Sequence, residues 1–169
     1  MNVCVVGGLR SGKTAVVRQY LSHTGVDLTV PLTDNGNLYF EKCITIGETA
    51  HVIKIFDIHS HDTQKELIRS SEAIIFIYSI TAENSFQAVE EAIKAIKKKK
   101  SGFYVGTVIG CKCELEHKRK VPIIKGFTLA KLHNFSFFEL STYSRVDQPF
   151  EEALVDFIKG ENNKKCKLM

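Results

Sequence analysis

No apolar run in this 169-residue chain approaches the roughly eighteen residues needed to cross a bilayer, which excludes a membrane-spanning reading. The amino terminus also lacks a secretory pattern, because its apolar stretch is residues 3–6 alone and runs straight into glycines. A reducing, intracellular setting is the expectation. Cys4, Cys43, Cys111, Cys113 and Cys166 are an odd number at irregular spacing, which argues against a disulfide framework. Cys111 and Cys113 have no second cysteine pair or histidine pair to complete a structural zinc site. The net charge is +4, but the basic residues gather in 97–100, 118–120 and the carboxyl tail with no aromatics between them. That pattern reads as solvated helix ends and loops, and no nucleic-acid partner is expected. Internal repeats and low-complexity linkers are absent. With 44% apolar and 25% charged residues, the length suits one domain over 1–160 and a short polar tail over 161–169.

What is there begins at once. Residues 3–6 are followed by Gly7-Gly8-Leu9-Arg10-Ser11-Gly12-Lys13-Thr14, a complete G-x-x-x-x-G-K-[S/T] loop leading into Ala15 and a helical pattern. The glycines let backbone N–H groups turn inward around phosphates, Lys13 supplies a point charge, and the Thr14 hydroxyl is a Mg²⁺ ligand. A glycine-rich strand-to-helix turn is the alternative, but it leaves the Gly-Lys-Thr triplet unexplained. The motif predicts a bound nucleoside polyphosphate.

Further along, 13–23 is expected to be a helix, with Val16, Val17, Tyr20 and Leu21 at helical spacing. Residues 24–37 form a polar, turn-rich segment, and 38–46 and 51–57 read as two strands of a hairpin joined at Gly47-Glu48. The apolar run 73–80 suits a central strand buried on both faces, and 85–98 carries a helical stripe. Residues 104–110 and 136–140 read as strands, 123–133 and 149–159 as helices. Such alternation predicts an α/β fold: a doubly wound, six-stranded, mostly parallel sheet with helices on both faces and ligands beyond the strands' carboxyl ends.

The phosphate loop, the hairpin with Phe56-Asp57 after it, residues 73–78, Val108-Ile109-Gly110-Cys111-Lys112-Cys113-Glu114-Leu115 and Phe138-Glu139-Leu140-Ser141-Thr142 occur in the order and near the spacing of the Ras-like small GTPases. The chain resembles that family over essentially its whole length. The resemblance implies guanine nucleotide (GTP or GDP) bound with Mg²⁺, and loops that order around the γ-phosphate and are presented to effector and regulator proteins. Asp57 looks like the family's acidic Mg²⁺ residue, an N-cap or turn role being the alternative. Alignment puts Leu32 where the family has a threonine reaching Mg²⁺, and Thr33 serves if the loop shifts by one.

Several inherited positions are changed. Asp57-Ile58-His59-Ser60-His61 stands where the family has Asp-Thr-Ala-Gly-Gln. Ser60 still offers its N–H but lacks glycine's conformational freedom, and His61, the candidate catalytic residue, takes the place of the water-orienting glutamine or is a plain surface histidine. Leu9 and Arg10 occupy positions that are glycine in many hydrolytically competent relatives. Slow hydrolysis and poor response to an activator's arginine are therefore expected, with Arg10 itself read as a solvated charge. On the base side, Cys111-Lys112-Cys113-Glu114 replaces Asn-Lys-x-Asp, so Lys112 survives and Glu114 carries the carboxylate one methylene further out. Ser141-Thr142-Tyr143 replaces Ser-Ala-Lys. Such changes relax affinity and choice of base.

The ending Cys166-Lys167-Leu168-Met169 is similar to a C-a-a-X box with a farnesyl-type methionine, and Lys164 and Lys165 add attraction to an anionic leaflet. An unmodified tail is the alternative. Two functions follow: a monomeric, membrane-associated GTP-binding switch on the cytoplasmic face, or a pseudo-GTPase scaffold that binds nucleotide weakly, permanently or not at all.

Overall fold

Successive residues of β1 (Asn2–Gly7) enter opposite cores: Cys4 and Val6 join one apolar cluster, Val3 and Val5 the other. The same alternation recurs in β5 (Ala73–Ser79), where every residue is buried, Ile74, Phe76 and Tyr78 on one side and Ala73, Ile75 and Ile77 on the other. Only a sheet covered on both faces buries both sets, so a continuous apolar run and a doubly wound sheet are one fact at two levels. The computed structural model describes residues 1–22, 32–34, 37–46, 48–58, 65–99, 104–141, 148, 150–152 and 154–155, without the side chains of 32–34, 37, 38 and 46.

In chain order the remaining elements are α1 (Lys13–Ser22), β2 (Leu32–Asp34), β3 (Asn37–Ile46), β4 (Thr49–Asp57), α2 (Lys65–Ser70), α3 (Glu83–Lys99), β6 (Val105–Cys111), a 3₁₀ segment (Cys113–Lys118), α4 (Ile123–Leu132) and β7 (Ser136–Leu140). Where a last helix is expected, residues 148, 150–152, 154 and 155 are helical, and Phe150 and Leu154 are fully buried. The sheet runs β2-β3-β4-β1-β5-β6-β7. β4, β1, β5, β6 and β7 are mutually parallel, and β3 pairs antiparallel with β4. This is the expected six-stranded sheet with one addition. The three-residue β2 lies antiparallel on the β3 edge, Thr33 opposite Leu38, inside the segment read as turn-rich. Its Leu-Thr-Asp is too short to show a period-two pattern, and pairing with β3 is what makes it a strand.

In the hairpin, Ile46 of β3 pairs with Thr49 of β4. α3 and α4 pack in the cluster of Phe76 and Tyr78, while α1 and residues 150 and 154 pack in the cluster of Val3 and Ile75. Among the described residues no helix is long and apolar enough to cross a membrane.

Candidate functional site

Because five neighbouring strands are parallel, their carboxyl ends meet at one edge of the sheet. β1 is flanked by β4 on one side and β5 on the other, and it is beside β1 that strand order reverses, the place where such sheets open a crevice. The loop after β1 fills it. Asp57 ends β4 in register with Val5, and Cys111 ends β6 in register with Ser79 of β5 and Leu140 of β7. Residues 7–14, 57, 111–114 and 140–141, dispersed in sequence, thus share one rim.

The loop's shape follows from two of its glycines. A Cβ at Gly7 would lie 2.1 Å from the Ile77 carbonyl oxygen, so β1 can end against β5 only without a side chain. Gly12 has φ +109°, a conformation L side chains rarely adopt. Arg10 is also left-handed, at φ 58°, which costs roughly 1 kcal/mol for a residue with a Cβ. Its carbonyl accepts a 2.9 Å hydrogen bond from the Lys112 ammonium, fastening the phosphate loop to the loop after β6. Lys112 is itself left-handed, at φ 69°.

The Lys13 ammonium donates to the carbonyls of Gly7 and Gly8, both at 2.9 Å, and so lies within the curl of the loop. Burial lowers its pKa from the ordinary lysine value, and the Asp57 carboxylate opposes that shift in part. A desolvated ammonium gains most from an anion brought beside it. α1 starts at Lys13 and has no acidic residue in its first turn, which leaves its positive end open to phosphate. Ser11 is fully buried and its hydroxyl has no hydrogen-bond partner. Leu9 stands out from the loop, 88% exposed, with Arg10, Thr14 and Ala15 also exposed.

The Thr14 hydroxyl donates to Asp57 Oδ2 across the gap between α1 and β4. The other carboxylate oxygen, Oδ1, is buried and unpartnered. A buried carboxylate oxygen without a donor is costly, and a hard cation beside a hydroxyl and a carboxylate removes that cost. The pair fits Mg²⁺, which takes one or two carboxylates and otherwise phosphate and water.

The base side is less regular. Cys111 is fully buried, and burial together with Cys113 and Glu114 pushes its thiol up to about 12, so it is neutral. A Cβ on Gly12 would lie 3.4 Å from the Cys111 Cβ, which sets this side chain directly behind the phosphate loop. Cys113 donates to the Gly110 carbonyl at 3.6 Å, and burial and Glu139 push it up to about 11. Glu114 is exposed in the 3₁₀ segment and Ser141 half-buried after β7. Ser60, His61, Thr142 and Cys166 lie outside the described residues, as does the Thr33 side chain.

A profile of the Ras family matches residues 2–159. The chain belongs to the Ras family. It is 30% identical to Ras-like protein 2 of Mucor circinelloides f. lusitanicus over 98% of this chain and 85% of that protein. Ras-like protein rasV of Dictyostelium discoideum is 29% identical over 91% of this chain and 69% of its own length. Ras-like protein 1 of Saccharomyces cerevisiae is 27% identical over 96% of this chain, which spans about half (53%) of that protein. Membership makes the chain a small GTP-binding signalling protein.

One part of this Ras-family rim is invisible in the residue pattern. Arg119, within the basic run expected to be solvated, has its side chain 18% exposed, and it forks onto Glu139 of β7 with bonds of 2.8 and 2.7 Å. It also grips Glu116 at 2.6 Å, and both carboxylates raise its pKa. Glu139 Oε1 accepts from the Tyr78 hydroxyl at 3.5 Å. Arg119 thereby pins the far end of the 3₁₀ segment, which begins at Cys113 and Glu114, to the sheet. The available signal was Glu139 itself, a lone acid in the apolar strand Ser-Phe-Phe-Glu-Leu that demands a buried cation.

Proposed function

We propose that this protein is a membrane-associated guanine-nucleotide switch in which gripping has been kept and cutting weakened. Residues 7–15 hold the phosphates, Lys13 neutralises them, and Thr14 and Asp57 hold Mg²⁺. Thr33 and the Ser60 N–H approach the γ-phosphate, and Lys112, Glu114, Ser141 and Thr142 face the base. Mg²⁺ would neutralise phosphate charge. The observation that carries the reading is the Thr14–Asp57 contact with its unpartnered Asp57 Oδ1, beside an ammonium drawn into the loop. Exposed Leu9 supports slow turnover, because it stands where water and an activator's arginine would enter, a contribution of about 10³ to 10⁵ in rate. His61, in place of the family's glutamine, is the candidate for orienting water.

Prenylation of Cys166 and the lysines beside it would bring the protein, as a monomer, to the cytoplasmic face of a membrane, where its loops meet effectors and regulators. The test is direct. Protein purified without added nucleotide is acid-treated, the released material is identified by chromatography, and γ-phosphate loss is followed over hours. Guanine nucleotide that exchanges and turns over slowly supports the switch, and a protein with no affinity for any nucleotide refutes it. Buried neutral Cys111 and exposed Glu114, where the family has Asn and Asp, favour a second reading on the base side: a scaffold that holds nucleotide permanently or not at all. Tight GTP or GDP that never exchanges, or an empty protein, is its signature.

A further inference from the structure

The two edges of the sheet are guarded differently. β2 is three residues long and ends on Asp34, the short and charged kind of edge that does not invite another strand. β7, at the opposite edge, is five residues long, Ser-Phe-Phe-Glu-Leu, all partly exposed, and among the described residues it pairs with β6 alone. It holds no lysine or proline, and its one charge, Glu139, is taken up by Arg119. A strand at the end of a sheet turns a row of backbone N–H and C=O groups away from its neighbour, and here no free charge guards them. Beside this edge lies a pocket of about 430 Å³ lined by Phe127, Ala130, Lys131, Asn134, Phe135 and Phe137. α4 turns Ile124, Thr128 and Leu132 to the groove it shares with α3, so Phe127 and Lys131 stand on its other flank, over β7. Phe127 is 48% exposed and meets the Phe137 ring edge-on at 6.2 Å between centroids. No carboxylate lines the pocket, and Lys131 is exposed with no ion pair among the described residues.

We propose that the β7 edge and this pocket together take an extended, acidic peptide segment of a partner protein as an added strand. One large apolar side chain of the peptide sits among Phe127, Phe135 and Phe137, and an acidic one two residues away meets Lys131. In this mode of recognition main-chain hydrogen bonds along the edge supply affinity, and pockets for alternate side chains supply selectivity. Residues spaced by two share one face of a strand, so both side chains reach the α4 side together. The acid follows from charge: Lys131 is the pocket's one ionised group, and a carboxylate balances it. A helical partner does not suit this place, because its backbone groups are already paired with one another and leave the β7 row unmatched. A second copy of this chain joined through β7 is also a poor match, since the one acid of that strand is already bound by Arg119.

The probe is a fluorescein-labelled, end-capped nonapeptide in which phenylalanine and glutamate take turns at every second position and threonine fills the others. Fluorescence polarisation with the full chain should show saturable binding, and the amide signals of residues 136–140 should shift and exchange more slowly with water. Methylating alternate backbone nitrogens of the peptide removes ladder donors without touching the protein, and should weaken binding by about tenfold or more. Phe127→Ala and Lys131→Glu should each weaken it by about tenfold, and a peptide with lysine for glutamate should regain affinity for the Lys131→Glu chain. Phe127 and Lys131 are exposed, so an unchanged melting temperature serves as the control for folding. The proposal is overturned if the peptide does not bind saturably, or if the methylated peptide binds as well as the plain one. Shifts that fall on β2 and spare β7 overturn it too. A dimer in sedimentation that Phe127→Ala dissolves overturns it in favour of a second copy of the chain.

Discussion

Replacing Arg119 by alanine leaves Glu139, whose side chain is 11% exposed, beside the Tyr78 hydroxyl with no cation. Exposed ion pairs contribute at most about 1 kcal/mol, and breaking a fully buried pair costs about 3–5 kcal/mol. The Arg119–Glu139 pair lies between these limits: its partners are 18% and 11% exposed, and the fork makes two short bonds, at 2.8 and 2.7 Å. A cost of about 2 kcal/mol follows, which for a chain of this length lowers the melting temperature by roughly 4–8 °C. Glu116→Gln should change it little, because Glu116 is 65% exposed and its loss strands no buried charge. Glu139→Gln in the Arg119→Ala background should recover part of the loss, since the orphaned carboxylate is then gone. The assay is a circular-dichroism melt of all four proteins at neutral pH. An Arg119→Ala variant that melts with Glu116→Gln would refute the claim that this pair is buried and ties the 3₁₀ segment to β7. Guanine-nucleotide release should also quicken in Arg119→Ala, because Glu114 sits in the segment that Arg119 holds.

Asp57→Asn keeps the side chain's shape and removes its charge, so nucleotide retention should require at least about tenfold more Mg²⁺ in an EDTA-buffered release assay, and an unchanged requirement would remove Asp57 from the metal site. In Gly126→Ala the added Cβ would lie 2.3 Å from the Tyr78 hydroxyl and 2.6 Å from the Phe137 ring, and overpacking of about 1–3 kcal/mol should outweigh a helix-propensity gain of about 1 kcal/mol; a lower urea midpoint is the expected result. The folded pKa values of Cys111 and Cys113 are raised, so the unfolded chain loses these protons first as pH climbs. The stability they contribute is complete below the unfolded thiol value of about 9, and it is lost as pH rises toward 11 and 12. Melts should fall over that window and fall less in a Cys111→Ala/Cys113→Ala variant, while iodoacetamide at pH 8 should label exposed Cys43 well before buried Cys111.

Elements whose burial repeats along the chain were legible. The two-sided runs of β1 and β5 and the stripe of α3 are local patterns, and each became the element expected of it. β2 was not legible, because three residues carry no period and only the β3 edge defines them. The Arg119–Glu139 pair was hidden for a related reason. An arginine between two lysines looks solvated until the 3₁₀ segment carries it back over β7.

By itself the sequence determined the family, the doubly wound architecture and the glycine-rich turn from β1 into α1, since each depends on residues adjacent or regularly spaced. Only the tertiary structure decided that Thr14 meets Asp57, that Lys112 holds the strained Arg10 carbonyl, and that Cys111 is a buried neutral thiol behind Gly12. Those contacts join residues tens of positions apart. They exist because parallel strands deliver their carboxyl ends to one edge, where desolvation and proximity, which no spacing along the chain encodes, set the charge and partners of each group.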